Sequence, residues 1–440
     1  MTDVRHHLLE ATKPGSAASL DAEELARLRL LAADERLQEQ RRKIPVLDKR
    51  ASEAGVTAIT DVHDLLPLLF AHSVYKSYPE SFVLNGRWDR LSVWLDTVST
   101  HTAAAVDVAG VGDVDAWIEQ LRRSGVFVMA SSGTSGKSSF LPLNGADMAF
   151  LEARLAVTDR AACPISFLGP SEAPMRVAYN FKAMARAFGR PGAVHSLEEP
   201  LRLSEQIEIA ALRKAMADGT AQPSEVAKFE AEATRRAGER EAAVTALLDA
   251  VLCHRDEPQV IFGGWAMHWR LLELARERGI GDGTFHPGTF VNFSGGLKGL
   301  SVPDDYEAQV FAFYGAVQRR VGYGMSELSG SFVRCPHGVY HWPQWIIPLV
   351  LDEAGETLLD AGPDGRVRGR VAAYDPAWDG IWGGVVSGDQ ATVDFGACAC
   401  GQPGPTVTDI VRYSDLSAAG DDKLTCGGTI DAYIRGIVGS

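Results

Sequence analysis

The feature that most constrains this chain is a glycine- and serine-rich loop between two short apolar runs, in the stretch VFVMASSGTSGKSSFL. The run Val126–Ala130 predicts a buried strand, and Ser139–Leu141 predicts a second strand after the loop. Gly133 and Gly136 permit backbone conformations closed to other residues, so main-chain N–H groups can approach an anion. Lys137 adds a positive charge, and further donors are the hydroxyls of Ser131, Ser132, Thr134 and Ser135. The composition is typical of a polyphosphate-binding loop, and a solvated turn has the same residue types.

The spacing of the glycines excludes a Walker A loop. That motif has four residues between its glycine and the Gly-Lys pair, followed by a helix. Here only Thr134 and Ser135 separate the two glycines, and SSFLPLN does not begin like a helix. The loop instead resembles the phosphate-binding loop of the adenylate-forming (AMP-binding) superfamily, which includes acyl-CoA synthetases, peptide-synthetase adenylation domains and luciferases. That loop is usually written SSGTTGKPK, and this chain has Ser138-Ser139 in place of Pro-Lys.

A second stretch, VGYGMSELSG, resembles the YGxTE motif of the same superfamily. The resemblance implies that Tyr323 stacks beside the adenine, and that Gly324 and Met325 line the adenine or acyl pocket. It implies that Ser326 donates a hydrogen bond to the α-phosphate and that Glu327 holds Mg²⁺. A carboxylate is a ligand that this hard cation prefers. Taken alone, the same residues would also suit a strand-end turn whose tyrosine and methionine simply pack.

Two further stretches extend the resemblance. The loop SGGLKG lies where the superfamily has a glycine-rich loop, similar to GGGWK in the acyl-protein synthetase branch, so Gly295 and Gly296 would approach the nucleotide or the acyl group. Lys298 would reach a phosphate or a carboxylate, or it is an ordinary surface lysine.

Ser387-Gly388-Asp389 resembles the TGD motif, whose carboxylate accepts hydrogen bonds from the ribose hydroxyls. In a competing register Asp415 binds the ribose and Asp431 marks the hinge, with Thr429 replacing the arginine of the family. We favour Asp389, because the neighbouring Cys-x-Cys pair anchors its register.

A cysteine and histidine pattern predicts a metal site. Cys335 and His341 lie in RCPHGVYHWP, and Cys398-Ala-Cys400-Gly401 follows later. Thiolates and imidazole suit tetrahedral Zn²⁺. The pattern resembles phenylacetate–CoA ligase-like proteins, which implies Cys335, His341, Cys398 and Cys400 as ligands, with His337 as the substitute for His341. Four protein ligands would make the site structural. The alternative is a set of buried thiols and surface histidines.

The overall composition limits the kinds of partner and the cellular compartment that we expect for the chain. The chain has 440 residues and a formal net charge of −14, which argues against a non-specific nucleic-acid binder or an anionic-membrane binder. Its longest apolar run, near Leu65–Phe70, is too short to span a bilayer. The N-terminal residues lack a basic-then-apolar signal, and six cysteines without a regular framework are typical of a reducing compartment. We predict a cytoplasmic enzyme.

Alternating strand and helix patterns predict an α/β fold. Helices are predicted at Asp21–Arg42, with Ser19 or Asp21 as N-cap, and at Asp113–Ser124. Two long helices are predicted within 204–252, a strand and helix at Gln259–Gly264 and Trp265–Arg278, and another strand at Phe290–Phe293. The predicted sections are 1–110 (helical), 111–320 (α/β core with the phosphate loop) and 321–440 (β-rich). By the resemblance, this is the large N-terminal domain of an adenylate-forming enzyme, with mixed sheets flanked by helices.

The predicted reaction is attack of a carboxylate on the α-phosphorus of Mg·ATP, giving acyl-AMP and pyrophosphate. The acyl group then passes to a thiol or amine, on CoA, a carrier protein, a partner enzyme or a small molecule; Cys426 is a weaker candidate acceptor. Lys137, Ser326 and Glu327 are the predicted catalytic residues. In most of the family a mobile lid with a catalytic lysine follows the hinge, whereas this sequence ends four residues after Gly436. The alternatives are therefore a nucleotide-binding protein of weak activity and a scaffold that recruits an acyltransferase or reductase.

Overall fold

The structure is a computed structural model that describes residues 3–13, 16, 20–131, 137–155, 161–297 and 300–416. The helices are α1 Val4–Ala11, α2 Ala22–Gln40, α3 Pro45–Ala54, α4 Glu80–Leu84, α5 Trp88–Thr97, α6 Val114–Arg123, α7 Gly145–Leu155, α8 Arg176–Phe188, α9 Leu203–Ala217, α10 Pro223–Cys253, α11 Trp265–Glu277, α12 Tyr306–Tyr314 and α13 Tyr413–Leu416. Short 3₁₀ helices are Val62–Leu68, Val74–Lys76 and Ala103–Ala105. The strands are β1 Phe70–Ala71, β2 Phe127–Ala130, β3 Phe140–Leu143, β4 Cys163–Pro170, β5 Gly189–Leu197, β6 Val260–Gly264, β7 Phe290–Ser294, β8 Gln318–Tyr323, β9 Phe332–Arg334, β10 Tyr340–His341, β11 Ile347–Leu351, β12 Arg366–Tyr374, β13 Gly384–Asp394 and β14 Thr406–Arg412.

The chain forms two compact units. Among the described residues, unit 1 contains those of 1–131, 137–154 and 324–416, and unit 2 contains those of 155–323. The three sections predicted from the sequence stay predictions of domain organisation. Described residues of the first section lie in unit 1, and those of the third section lie in unit 1 from Gly324 onward.

The N-terminal helices of unit 1 follow from local sequence signals. Asp21 caps α2, and its side chain accepts a hydrogen bond from the Glu24 N–H at 2.8 Å, which satisfies one of the unpaired donors at the helix start. Asp113 caps α6 in the same way, from the Ala116 N–H. Both helices are therefore confirmed within a residue or two. The apolar face of α2 is buried, at Leu25, Leu28, Ala32, Ala33 and Leu37.

The C-terminal part of unit 1 is rich in β-strands, as the sequence predicts, but its strands range from 2 residues in β10 to 11 residues in β13. Its order is β11-β12-β13-β14-β10-β9, with antiparallel pairing, and β1 pairs in parallel with β13. Irregularities in register lie between Arg370 and Ala372 and between Gln390 and Thr392. Bulges of this kind bend a strand and redirect its side chains.

The two predicted strands beside the predicted phosphate-binding loop are confirmed and pair with each other. β2 and β3 are antiparallel, with Phe127 opposite Leu143 and Ala130 opposite Phe140. The Ser131 N–H donates to the Ser139 carbonyl at 3.1 Å, and the Ser139 N–H donates to the Ser131 hydroxyl at 2.9 Å. These two hydrogen bonds close the base of the loop.

Unit 2 is a parallel sheet with order β5-β4-β6-β7-β8. Helices connect neighbouring strands, namely α8 between β4 and β5, α11 between β6 and β7, and α12 between β7 and β8. This arrangement confirms the predicted α/β class. Part of the core consists of Ile165, Phe167, Phe181 and Phe262. The sequence analysis did not predict β4, α8, β5 or α12.

The two long helices predicted within 204–252 are present as α9 and α10. Pro223 is the first residue of α10, and a capping box joins Gln222 and Glu225, so the chain restarts a helix where the sequence suggested a break. Charged pairs such as Arg235 with Glu232 occupy the exposed face of α10. Within the described part of the chain, the search for helices long and apolar enough to cross a membrane finds none.

Candidate nucleotide site and metal centre

The loop base in unit 1 is held by Tyr78. Its hydroxyl donates to the Ser138 carbonyl at 2.9 Å, and its ring stacks on Phe140 of β3 with centroids 5.1 Å apart. The Lys137 ammonium lies 4.1 Å from the centre of the same ring and donates to the Tyr78 carbonyl. Burial raises the pKa of Tyr78, so its hydroxyl stays protonated. Tyr78 therefore holds Lys137, which the sequence analysis assigned to phosphate binding.

The motif YGMSELSG spans the end of β8 and a turn in unit 1, residues 324–331, which we call the acidic turn. Gly324 is exposed, whereas Met325, Ser326 and Glu327 are half-buried. The turn is closed by the Leu328 N–H, which donates to the Met325 carbonyl at 3.3 Å. Leu328 itself is fully buried, so the turn is anchored in the core while its polar residues stay partly accessible.

Tryptophan and aspartate side chains hold the acidic turn by its main chain and hydroxyl. Trp378 Nε1 donates to the Glu327 carbonyl at 2.7 Å. The Ser329 N–H and hydroxyl both donate to Asp375 Oδ2, at 2.6 and 2.7 Å. Trp345 Nε1 donates to the Ser329 hydroxyl at 3.0 Å. The sequence analysis missed Asp375 and Trp378, and their only signal is the tryptophan-rich segment DPAWDGIW.

In unit 2, two predicted nucleotide motifs lie at the same edge of the sheet. Gly295 and Gly296 directly follow β7, and Tyr323 ends β8. The strands are parallel neighbours, with Phe293 opposite Val321. Gly295 has φ +65°, a conformation that favours glycine, and a Cβ atom at Gly296 would meet nothing within 4 Å. Open α/β sheets bind ligands at the carboxyl ends of their strands, and both motifs occupy that edge.

The two ribose candidates differ in exposure. Asp389 lies within β13 opposite Arg412, its side chain is 16% exposed, and its Oδ1 is 3.9 Å from Arg412 Nε. The Ser387 hydroxyl accepts from the Asp389 N–H at 3.1 Å. Asp415 is exposed in the short helix α13. The choice of Asp389 stays a prediction.

The four predicted metal ligands come together. The ligand atoms of Cys335, His341, Cys398 and Cys400 all lie within 4.8 Å of one another. The Cys335 and Cys398 sulfurs are 3.9 Å apart, and the Cys400 sulfur is 3.2 Å from His341 Nε2. Tetrahedral bonds to zinc would give sulfur–sulfur and sulfur–nitrogen separations of about 3.8 and 3.6 Å, so the cluster is close to this geometry. His337 is exposed and is not part of the cluster.

The surroundings of the cluster lower the pKa values of Cys335 and His341 and raise that of Cys398. Burial alone would raise the pKa of the Cys335 thiol, but hydrogen bonds from the main chain of His337 and Val339 and from the Cys398 and Cys400 side chains together outweigh it and lower that pKa. Burial lowers the pKa of His341, which keeps the imidazole neutral, the form that binds a metal. Tight turns support the thiols, since the Gly338 N–H donates to the Cys335 carbonyl and the Gly401 N–H to that of Cys398.

The remaining predicted residues lie outside the described part of the chain. They are Ser132, Gly133, Thr134, Ser135, Gly136, Lys298, Cys426, Thr429, Asp431 and Gly436.

Comparison with known proteins gives structural matches and no sequence matches. No family model and no curated protein matches the sequence. An open conformation of 2-hydroxyisobutyryl-CoA ligase, in complex with 2-HIB-AMP and CoA, matches with a TM-score of 0.56 at 14% identity, over 92% of this chain and 79% of that chain. The chain shares the fold of this ligase. The same ligase in the postadenylation state with R3-HIB-AMP matches with a TM-score of 0.55 at 14% identity, over 92% of this chain and 72% of that chain. The predicted fold is thereby confirmed.

Proposed function

We propose that this protein activates a carboxylic acid with ATP as an acyl-adenylate, releases pyrophosphate, and transfers the acyl group to a thiol or amine. The observation that carries the proposal lies in unit 2, where Gly295 directly follows β7 and Tyr323 ends the adjacent parallel strand β8. The two motifs at this edge resemble nucleotide motifs of the adenylate-forming superfamily, and the fold is shared with a ligase described with an acyl-AMP.

Within this proposal, each residue has a chemical task. Tyr323 stacks on the adenine, and main-chain N–H groups of the loop 131–137 contact the phosphates. Lys137 and the Ser326 hydroxyl neutralise and orient the α-phosphate, and Glu327 would hold the Mg²⁺ that shields the phosphates. Asp389 accepts hydrogen bonds from the ribose. Catalysis is mainly positioning and charge neutralisation, because transfer at phosphorus requires little covalent help.

We further propose that the cysteine and histidine cluster binds a structural Zn²⁺. All four ligands come from the protein, so the ion would have no open position for chemistry. The donor set and the separations described above support this assignment. The ion would join the β9–β10 hairpin to the segment between β13 and β14, because Cys335 and His341 come from the former and Cys398 and Cys400 from the latter.

The test is pyrophosphate release from ATP across a panel of aryl, fatty and amino acids. The expected result is release with one acid class and its loss, by a factor of a hundred or more, in Lys137→Ala and Glu327→Gln. Glu356→Gln is the matched control, because Glu356 is exposed and has no assigned role. Failure of every acid class would refute the proposed activity, and full activity of both site variants would refute the assigned residues. A carrier thiol or CoA added to the active reaction identifies the acceptor.

A further inference from the structure

The segment 375–382, DPAWDGIW, is hydrogen-bonded to the N-terminal helices of unit 1. Its main-chain carbonyls accept hydrogen bonds from three side chains of α1 and α2. The bonds are Arg5 Nε to Pro376 O at 2.9 Å, Arg5 Nη2 to Ala377 O at 2.6 Å, Arg36 Nη2 to Trp378 O at 3.1 Å, and Gln40 Nε2 to Ile381 O at 3.0 Å. Arg36 and Gln40 are buried. The segment is therefore fixed to the helical layer independently of any ligand.

From its other side, the same segment holds the acidic turn. Asp375 accepts from both donors of Ser329, and Trp378 donates to the carbonyl of Glu327. The side chains of Asp375 and Trp378 are 0% and 1% exposed. All three contacts are made to the residues on either side of Leu328, which is the buried anchor of the turn.

Burial of the Asp375 carboxylate costs free energy unless hydrogen-bond donors replace the water that it loses. Moving a carboxylate out of water requires compensating donors, and Asp375 has three, from the Ser329 N–H and hydroxyl and from the Ala377 N–H at 3.0 Å. Two of these three donors belong to the acidic turn. A hydrophobic side chain would fill this space without constraining the turn.

The Ser329 hydroxyl both donates and accepts a hydrogen bond within the protein. It donates to Asp375 and accepts from Trp345 Nε1. Trp345 is in turn covered by the Arg154 guanidinium, 3.8 Å from the ring centre. The residue two positions after Glu327 therefore has one arrangement of its hydrogen bonds, which restricts the backbone that carries the Glu327 side chain.

We propose that Asp375 and Trp378 are positioning residues that fix the acidic turn so that the Glu327 carboxylate meets Mg·ATP. This inference rests on the proposed function. Mg²⁺ demands near-ideal octahedral geometry, and a displacement of about 1 Å in a positioned group has large effects on rate. The two residues act through the main chain of the turn and do not contact the substrate.

The decisive variant is Trp378→Phe, which removes the Nε1 donor and keeps an aromatic ring. Its matched control is Trp382→Phe in the same segment. Trp382 is equally buried, and its Nε1 donates at 2.9 Å to the carbonyl of Leu68, a residue outside the acidic turn. Both variants lose one buried hydrogen bond, so a general loss of stability affects both alike.

The measurements are the Mg²⁺ concentration for half-maximal ATP binding, by calorimetry, and the midpoint of thermal unfolding. We expect Trp378→Phe to raise the half-saturating Mg²⁺ concentration about fivefold or more, and Trp382→Phe to leave it within a factor of two, at similar thermal midpoints. Asp375→Asn keeps an acceptor oxygen for Ser329 and should show a smaller rise than Asp375→Ala. Equal Mg²⁺ dependence of the Trp378 and Trp382 variants would overturn the inference while ATP binding by the parent still supports the proposed function. A parent that binds no Mg·ATP would overturn both.

Discussion

Replacement of Gly330 by alanine tests whether the acidic turn is as closely packed as the structure indicates. A Cβ atom at Gly330 would lie 2.6 Å from Trp345 Cζ2 and 2.8 Å from Pro343 Cγ. Favourable carbon–carbon contacts are about 3.5–4.0 Å, so the new methyl group is about 1 Å too close on two sides.

The neighbours of Gly330 have little freedom to move away. Trp345 is 8% exposed and bonded through Nε1 to Ser329, and Pro343 has a rigid ring. Overpacking of this kind costs about 1–3 kcal/mol, and loss of the Trp345 hydrogen bond would add about 1 kcal/mol. The reduced backbone entropy of the unfolded alanine chain returns about 0.4–1 kcal/mol. We expect a net loss of about 1–3.6 kcal/mol in the free energy of unfolding.

The assay is denaturant unfolding followed by tryptophan fluorescence, with ATP binding measured on the same samples. Gly112→Ala is the matched control, because Gly112 lies in a loop of unit 1 and a Cβ atom there meets nothing within 4 Å. Its stability should change by less than about 0.5 kcal/mol. If Gly330→Ala were as stable as the control and bound ATP like the parent, the packing described for the acidic turn would be refuted.

Three further predictions concern the metal, the pH and a helix. Zinc analysis should find about one ion per chain in the parent and close to none in Cys335→Ser. Cys253→Ser, which alters an exposed thiol, should keep the zinc content of the parent. Equal zinc content in the two variants would contradict the site. Burial raises the pKa of Asp147 from 3.8 to about 6, so the folded chain keeps this proton to higher pH than the unfolded chain, and stability should fall by up to ~3 kcal/mol as the pH rises from about 4 to above 6. Asp147→Asn should remove that part of the pH dependence. If the free energy of unfolding differed between pH 4.5 and pH 7 by the same amount in Asp147→Asn as in the parent, this prediction would be contradicted. Gly238 is exposed within α10, so Gly238→Ala should raise helix stability by about 0.5–1 kcal/mol, and a lower unfolding midpoint would oppose this.

Local signals were sufficient for several elements. A few adjacent residues are enough to predict these elements, namely the Asp21 and Asp113 caps, the helix start at Gln222-Pro223 and the apolar run of β6. Such signals work because capping and proline geometry are decided by adjacent backbone groups. By contrast, β4 and β5 were not predicted. β5 contains Pro191 and Gly192 and is partly exposed, so its residues carry little strand preference, and its pairing with β4 is what makes it a strand.

In the candidate site as well, some residues were predicted from the sequence and others were found only in the structure. The resemblance of the cysteine and histidine pattern to phenylacetate–CoA ligase-like proteins implied the four ligands of the metal cluster, and the structure brings these side chains together. The supports of the acidic turn were beyond sequence reasoning, because Asp375 lies 46 positions from Ser329 and Trp378 lies 51 from Glu327. No local rule tells which buried tryptophan donates to which carbonyl.

By itself, the sequence determined the chemistry that the chain offers, namely glycine loops, hydroxyls, a lysine, a carboxylate and thiols in a recognisable order. The tertiary structure alone decided which of these meet. It set Gly295 and Tyr323 on adjacent strand ends, and it buried Asp375 beneath the acidic turn. The physical reason is that strand pairing and burial depend on contacts between distant residues, whose energies do not exist until the chain has folded.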